Sequence, residues 1–184
     1  MSHAAVFLDR DGVINRAIVR NGKPYPPPDL DSFELLPGVA DALTRLKGAG
    51  YRLVVVTNQP DIVRGTQDGK VVEAMHDRLR AELPLDGIEM CCDETSDRYK
   101  PQPGMLRDAA RDLGIDLSRS AMVGDRWRDV DCGKAAGCFT IFIDRGYAES
   151  LRAAPDAVCD GLPAAVDVIL DRISQPTTLT QVPQ

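Results

Sequence analysis

The sequence predicts an α/β protein built on a mainly parallel sheet with helices on both faces. Two observations carry that prediction. Short apolar runs alternate along the chain with longer stretches whose apolar residues recur at three- and four-residue spacing. The residues that directly follow the apolar runs are polar and chemically complementary. That is the pattern expected where ligands meet the carboxyl ends of parallel strands.

The first strand is Ala5 to Leu8, apolar throughout and so covered on both faces. It ends in Asp9, Arg10, Asp11 and Gly12. Two carboxylates so close repel each other, and a cation, a phosphoryl group or both would offset that repulsion. Residues 16–31 are polar and contain Pro24, Pro26, Pro27 and Pro28, which exclude a helix and predict a flap or hairpin over the end of that strand. Val39, Leu43 and Leu46 share one helical face, opened by Pro37 and stopped by Gly48 and Gly50. Leu53 to Val56 is the second strand, ending in Thr57, Asn58 and Gln59. Val72, Met75, Leu79 and Leu83 mark the next helix, and Ile88 to Cys91 the third strand, which leads through a polar loop to Lys100 and Pro101. A helix with Leu106, Ala109, Ala110 and Leu113 on one face is closed by Gly114. The fourth strand, Ala121 to Val123, ends in Gly124 and Asp125, with Arg126 and Asp129 just beyond. A shorter helix over 128–136, a fifth strand from Phe139 to Ile143, and a last helix carrying Leu162, Val166, Ile169 and Ile173 complete the pattern. Residues 1–174 are expected to form one domain, and 175–184, polar with two prolines, a flexible tail.

Composition narrows the function classes. A chain of 184 residues can bury a real core. Its formal net charge of −6 argues against nucleic acid or an anionic membrane as the main partner, because both need a basic face. No apolar run approaches the ~20 residues that span a bilayer, and the N-terminus lacks the features of a signal peptide, so a cytoplasmic monomer is expected. The five cysteines are an odd number without a Cys-x-x-Cys, which predicts reduced thiols. The run Gly65 to Lys70 has three residues between its glycines and Val71 after its lysine, which sets aside a nucleotide-binding loop.

Acid pair, hydroxyl and amide, lysine, acid: four successive strand ends place these groups at one sheet edge. Each alone has a bland explanation, as a turn, a helix cap or a surface charge. Together they suit a phosphoryl group held with Mg²⁺, which takes a few carboxylate oxygens, while lysine offers a point charge to phosphoryl oxygens.

In order, Asp9-x-Asp11-Gly12, Thr57, Lys100 and Gly124-Asp125-x-x-x-Asp129 resemble the four motifs of the haloacid dehalogenase (HAD) superfamily. More narrowly, residues 7–15, Thr57-Asn58-Gln59, Lys100-Pro101-x-Pro103-Gly104-Met105 and Val123-Gly124-Asp125 are similar to the subgroup of heptose bisphosphate and histidinol-phosphate phosphatases. The resemblance implies a Rossmann-like HAD fold, here without a large cap domain. It implies Asp9 as nucleophile, Asp11 as acid and base, and Thr57 and Lys100 on the phosphoryl group. Mg²⁺ would be held by Asp9, the Asp11 carbonyl and Asp125, with Asp129 in support of Lys100 or of a metal-bound water. The expected substrate-binding residues are Asn15, Asn58, Gln59, Arg64, Arg98, Tyr99 and Arg126. The expected substrate is a sugar phosphate, with heptose 1,7-bisphosphate favoured over histidinol phosphate or another small phosphomonoester. A phospho-accepting signalling domain, with its aspartate after the third strand, and a non-catalytic scaffold are the alternatives outside enzymes. The subgroup often carries a zinc loop before the lysine. Residues 91–99 here have two adjacent cysteines and no histidine, so no structural zinc is expected.

Overall fold

The computed structural model describes residues 2–174. The tail expected over 175–184 lies outside them. Strand β1 (Ala5–Leu8) is followed by a hairpin of β2 (Ile18–Arg20) and β3 (Lys23–Tyr25), then α1 (Val39–Gly48), β4 (Arg52–Asn58), α2 (Pro60–Val63), α3 (Gly69–Glu82) and β5 (Gly87–Cys91). The chain continues through α4 (Gly104–Leu113), a 3₁₀ turn at Leu117–Arg119, β6 (Ala121–Gly124), α5 (Trp127–Ala136), β7 (Phe139–Ile143), β8 (Ala157–Cys159) and α6 (Leu162–Ser174).

Six strands form one sheet in the order β5-β4-β1-β6-β7-β8, all neighbours parallel. The chain builds outward from β1 to β5, then returns to the other side of β1 for β6. That reversal opens a crevice at the carboxyl end of β1, the ordinary place for a ligand in such a sheet. Side chains alternate between two cores. Val6, Leu8, Leu53 and Val55 pack with α1, α3 and α6, while Ala5, Phe7, Val54 and Val56 pack with residues of α4 and with Cys132 of α5. Because every residue of β1 is buried, its only polar outlet is its carboxyl tip.

The hairpin expected from the prolines turns at Asn21 and Gly22, both at positive φ (52° and 72°). Two consecutive left-handed residues match the right-handed twist of the paired strands. Asn-Gly is the pair that adopts them with least strain. Strand β4 runs two residues beyond the apolar stretch, because Thr57 and Asn58 still pair with Met90 and Cys91. Neither α2 nor β8 was legible in the hydrophobic pattern. The former is one turn, and the latter is a three-residue edge strand with Val158 61% exposed. Among the described residues, no helix is long and apolar enough to cross a membrane.

Candidate active site

At the crevice, Asp9 leaves the tip of β1 with its backbone N–H bonded to the Val123 carbonyl of β6. Its carboxylate accepts from the Arg10 N–H at 2.8 Å and meets Lys100 Nζ at 2.9 Å. Gly12 then turns the chain at φ 88°, and a Cβ there would fall 1.8 Å from a carboxylate oxygen of Asp125. Only glycine lets the first loop come this close to the end of β6.

Asp11 points its carboxylate along a different wall. It accepts from Arg10 Nη2 at 2.9 Å, Asn15 Nδ2 at 2.9 Å and Gln59 Nε2 at 3.0 Å. Arg10, fully buried, is held in turn by His76 Nε2 at 3.1 Å. Arginine only donates, so His76 accepts and is neutral, with its proton on Nδ1. Burial and the Arg10 charge pull the His76 pKa down to about 4. An unfolded histidine binds its proton near 6.5. Stability is therefore expected to fall as pH drops from about 6.5 to about 4, by at most about 3 kcal/mol. Urea denaturation of wild type and His76→Gln across that range should show the variant gaining on the wild type as pH falls. A constant difference would exclude a buried neutral imidazole.

Lys100 is buried and lies between Asp129 (2.6 Å) and Asp9. Burial disfavours its ammonium, but Asp129 and Asp9 outweigh that and hold its pKa above the ordinary lysine value. Asp9 is raised to about 6 by burial and then by Asp129, against the pull of Lys100. Asp125 is likewise held well above the ordinary carboxylate range, by burial and then by Asp9 and Asp129. Asp125 is 1% exposed, and neither of its carboxylate oxygens has a partner in hydrogen-bond geometry, although the Tyr147 hydroxyl lies close by.

Asp9, Asp125 and Asp129 each bring one oxygen within 4.8 Å of the others. Three carboxylates against one ammonium leave two negative charges in a buried space. That deficit, together with the unpartnered Asp125, fits a divalent, oxygen-seeking cation such as Mg²⁺. The Asp11 carboxylate is not part of this cluster, because Arg10, Asn15 and Gln59 engage it. Its backbone carbonyl is the group that the sequence resemblance assigned to the metal.

A cleft of about 360 Å³ opens over the site. Its floor is Asp9, Asp11, Thr57, Asn58, Gln59, Lys100 and Asp129, and its walls include Lys23 to Pro26 of the hairpin, Arg64, Glu94, Tyr99, Arg126 and Arg128. Thr57 is buried and accepts from Gln59 Nε2 at 2.9 Å.

Two of the residues expected to contact substrate, Arg98 and Asn15, do not line the cleft. Arg98 does not face the cleft: it pairs with Glu89 and, at 3.1 Å, with Asp108, on the far side of its loop. Asn15 is wholly buried and reaches only Asp11 and the Arg16 carbonyl. Asn58 lines the cleft, and its amide also meets the Lys100 backbone on both sides, at 2.9 and 3.0 Å, so it positions the lysine as well. Gln59, Arg64, Tyr99 and Arg126 do line the cleft, Arg64 with its charge paired to Asp61 and Glu94, and Arg126 to Glu149.

Sequence reasoning missed the supports that come from distant segments. Tyr147 beside Asp125, Arg145 donating to the Gly12 carbonyl at 2.9 Å, Glu149 on Arg126, and His76 behind Arg10 leave no local signal. Arg10 and Arg128 were visible inside the first and fourth motifs and were passed over.

Comparison with known proteins gives the chain's relatives. Residues 98–165 match a family model described as HAD-hydrolase-like. The chain is 33% identical to a D-glycero-D-manno-heptose-1,7-bisphosphate 7-phosphatase of Thermosynechococcus vestitus, over 95% of this chain and 99% of the relative. It is 40% identical to a D-glycero-beta-D-manno-heptose-1,7-bisphosphate 7-phosphatase of Photorhabdus laumondii, over 72% of this chain and 75% of that one. Among solved structures, the D,D-heptose 1,7-bisphosphate phosphatase of Bordetella bronchiseptica, complexed with magnesium and phosphate, superposes with a TM-score of 0.78 at 32% identity, covering 92% of this chain and 99% of that one.

Proposed function

This chain belongs to the HAD-like hydrolases, in the family of the heptose-bisphosphate phosphatases, and from that premise we propose that it removes the 7-phosphate of a D-glycero-D-manno-heptose 1,7-bisphosphate. The observation that carries the reading is the position of Asp9. It is a buried carboxylate at the floor of an open cleft, between Lys100 and the unpartnered Asp125.

In this reading one Asp9 oxygen attacks phosphorus. The new O–P bond forms as the P–O bond to the sugar breaks, which divides one difficult displacement into two. Lys100 neutralises the phosphoryl oxygens, and the Thr57 hydroxyl donates to one of them. Asp11 gives its proton to the departing sugar oxygen, then takes one from the water that attacks the aspartyl-phosphate. That second attack releases phosphate and restores Asp9. The partners of Asp11 are all donors and hold it as a carboxylate, the form in which it meets the attacking water. To serve as acid it must turn one oxygen away from them. Asp9, Asp125 and the Asp11 carbonyl would hold Mg²⁺, which when bound supplies the positive charge that lets a phosphate dianion approach several carboxylates.

The loop at 92–99 is proposed to hold its shape without zinc. Asp93 accepts from the Thr95 backbone and hydroxyl at 2.9 and 2.7 Å, and the Asp93 and Ser96 carbonyls close two further turns.

Phosphate release from heptose 1,7-bisphosphate, histidinol phosphate and simple sugar phosphates, with and without Mg²⁺, tests the proposal. The expected result is Mg²⁺-dependent release with the highest kcat/KM on the heptose bisphosphate. Preference for histidinol phosphate would overturn the substrate, and release from none of them would overturn the phosphatase.

A further inference from the structure

Five cationic side chains line the cleft: Lys23, Arg64, Lys100, Arg126 and Arg128. Three are already answered by carboxylates. Lys100 has Asp9 and Asp129, Arg64 has Asp61 at 3.0 Å and Glu94 at 2.7 Å, and Arg126 has Glu149. Arg128 has no carboxylate partner among the described residues. What holds it is aromatic. Its guanidinium lies 5.6 Å from the Tyr99 ring centroid and 5.1 Å from that of Trp127, and Nη1 donates to the Tyr99 hydroxyl at 3.3 Å. Its Nε is buried with no partner.

A guanidinium cannot shed its charge, and it presents a flat fork of donors. Stacking on aromatic rings fixes the direction of that fork without neutralising it. Arg128 also sits in the first turn of α5, directly before Asp129 and three residues after Asp125, and lines the same cleft. Lys23 of the hairpin also lines the cleft, is exposed, and likewise lacks a carboxylate partner among the described residues. The cleft therefore carries positive charge beyond Lys100 that no carboxylate among the described residues answers.

We propose that Arg128, held by Tyr99 and Trp127, is the specificity-determining residue that binds the second, non-reacting phosphate of the substrate, with Lys23 approaching it from the hairpin. This rests on the phosphatase reading above. It adds a reason for preferring a bisphosphate to a monophosphate, one made from a residue of α5 and not from the arginines already paired.

Charge-assisted contacts of this kind contribute enough for roughly a 10- to 100-fold change in affinity when removed. Arg128→Gln should therefore lower kcat/KM on heptose 1,7-bisphosphate by about that factor, chiefly through KM, and change kcat/KM on heptose 7-phosphate by less than about threefold. Arg128→Lys should recover part of the loss, and Tyr99→Phe should show a smaller loss with the same selectivity. Equal losses on both sugars, or no loss on the bisphosphate, would overturn the assignment. Calorimetric binding of the bisphosphate to wild type and Arg128→Gln gives a readout that does not depend on turnover. A wild type that hydrolyses neither sugar defeats the phosphatase reading, whereas an unchanged Kd defeats the role of Arg128.

Discussion

Asp9→Asn is expected to lower phosphate release by about 10⁴-fold or more, because an amide oxygen cannot form the O–P bond on which both half-reactions depend. The same variant should fold at least as well as the wild type when no metal is present. The unfolded carboxyl ionises near 3.8 and the folded one near 6, so the folded chain holds the extra proton between those values. Stability without metal therefore declines as pH rises through that window, and above it the charged Asp9 costs up to about 3 kcal/mol net of its attraction to Lys100. Asparagine removes that cost. Release assays paired with urea denaturation at pH 7.5 check both halves. Turnover above about one per cent of wild type would falsify the nucleophile assignment, and a variant that unfolds early would contradict the electrostatic account.

Asp125→Asn should separate stability from activity in the same way, but through the cation. Asp125 has little compensation in the site: burial, Asp9 and Asp129 raise it, and the Tyr147 hydroxyl and Lys100 pull the other way more weakly. Replacing it should stabilise the metal-free protein by about 1–3 kcal/mol, the usual scale for relieving an unpaired buried charge. It should also lower Mg²⁺-dependent turnover by about 10²- to 10³-fold. In thermal denaturation, Mg²⁺ should raise the Tm of wild type by mass action and leave Asp125→Asn almost unmoved. A wild type whose Tm ignores millimolar Mg²⁺ would rule out this cluster as the metal site.

The order of strands and helices was legible because the core demands it. Residues that alternate between two buried faces, as in β1 and β4, leave a periodic mark on the sequence. That the proposed reacting groups meet at one sheet edge was legible for a related reason, since a buried strand can deliver a polar side chain only at its tip. Asp9, Thr57 and Asp125 all stand there, and Lys100 comes to the same edge from the loop after β5. Side-chain direction was not legible. Arg98 and Arg128 are both arginines next to motif residues, yet Glu89 and Asp108 draw the first away from the cleft, and Tyr99 and Trp127 keep the second in its wall. Those partners lie on other elements, and one sequence does not reveal which of two neighbouring arginines they will select. Asn15 and Asn58 illustrate the same limit. Both are polar residues beside the site, and each bonds a neighbour in the proposed reacting centre, Asn15 the Asp11 carboxylate and Asn58 the Lys100 backbone.

The two-sided grip of Asn58 on the Lys100 backbone has a consequence for how such an enzyme diversifies. It anchors the lysine to the end of β4, so the position of the ammonium does not depend on the shape of the preceding loop. Residues 92–99 can thus vary in length and in lining while the chemistry stays in place. The lysine is thus set by β4 as well as by its own loop, and a change in that loop need not carry the ammonium with it.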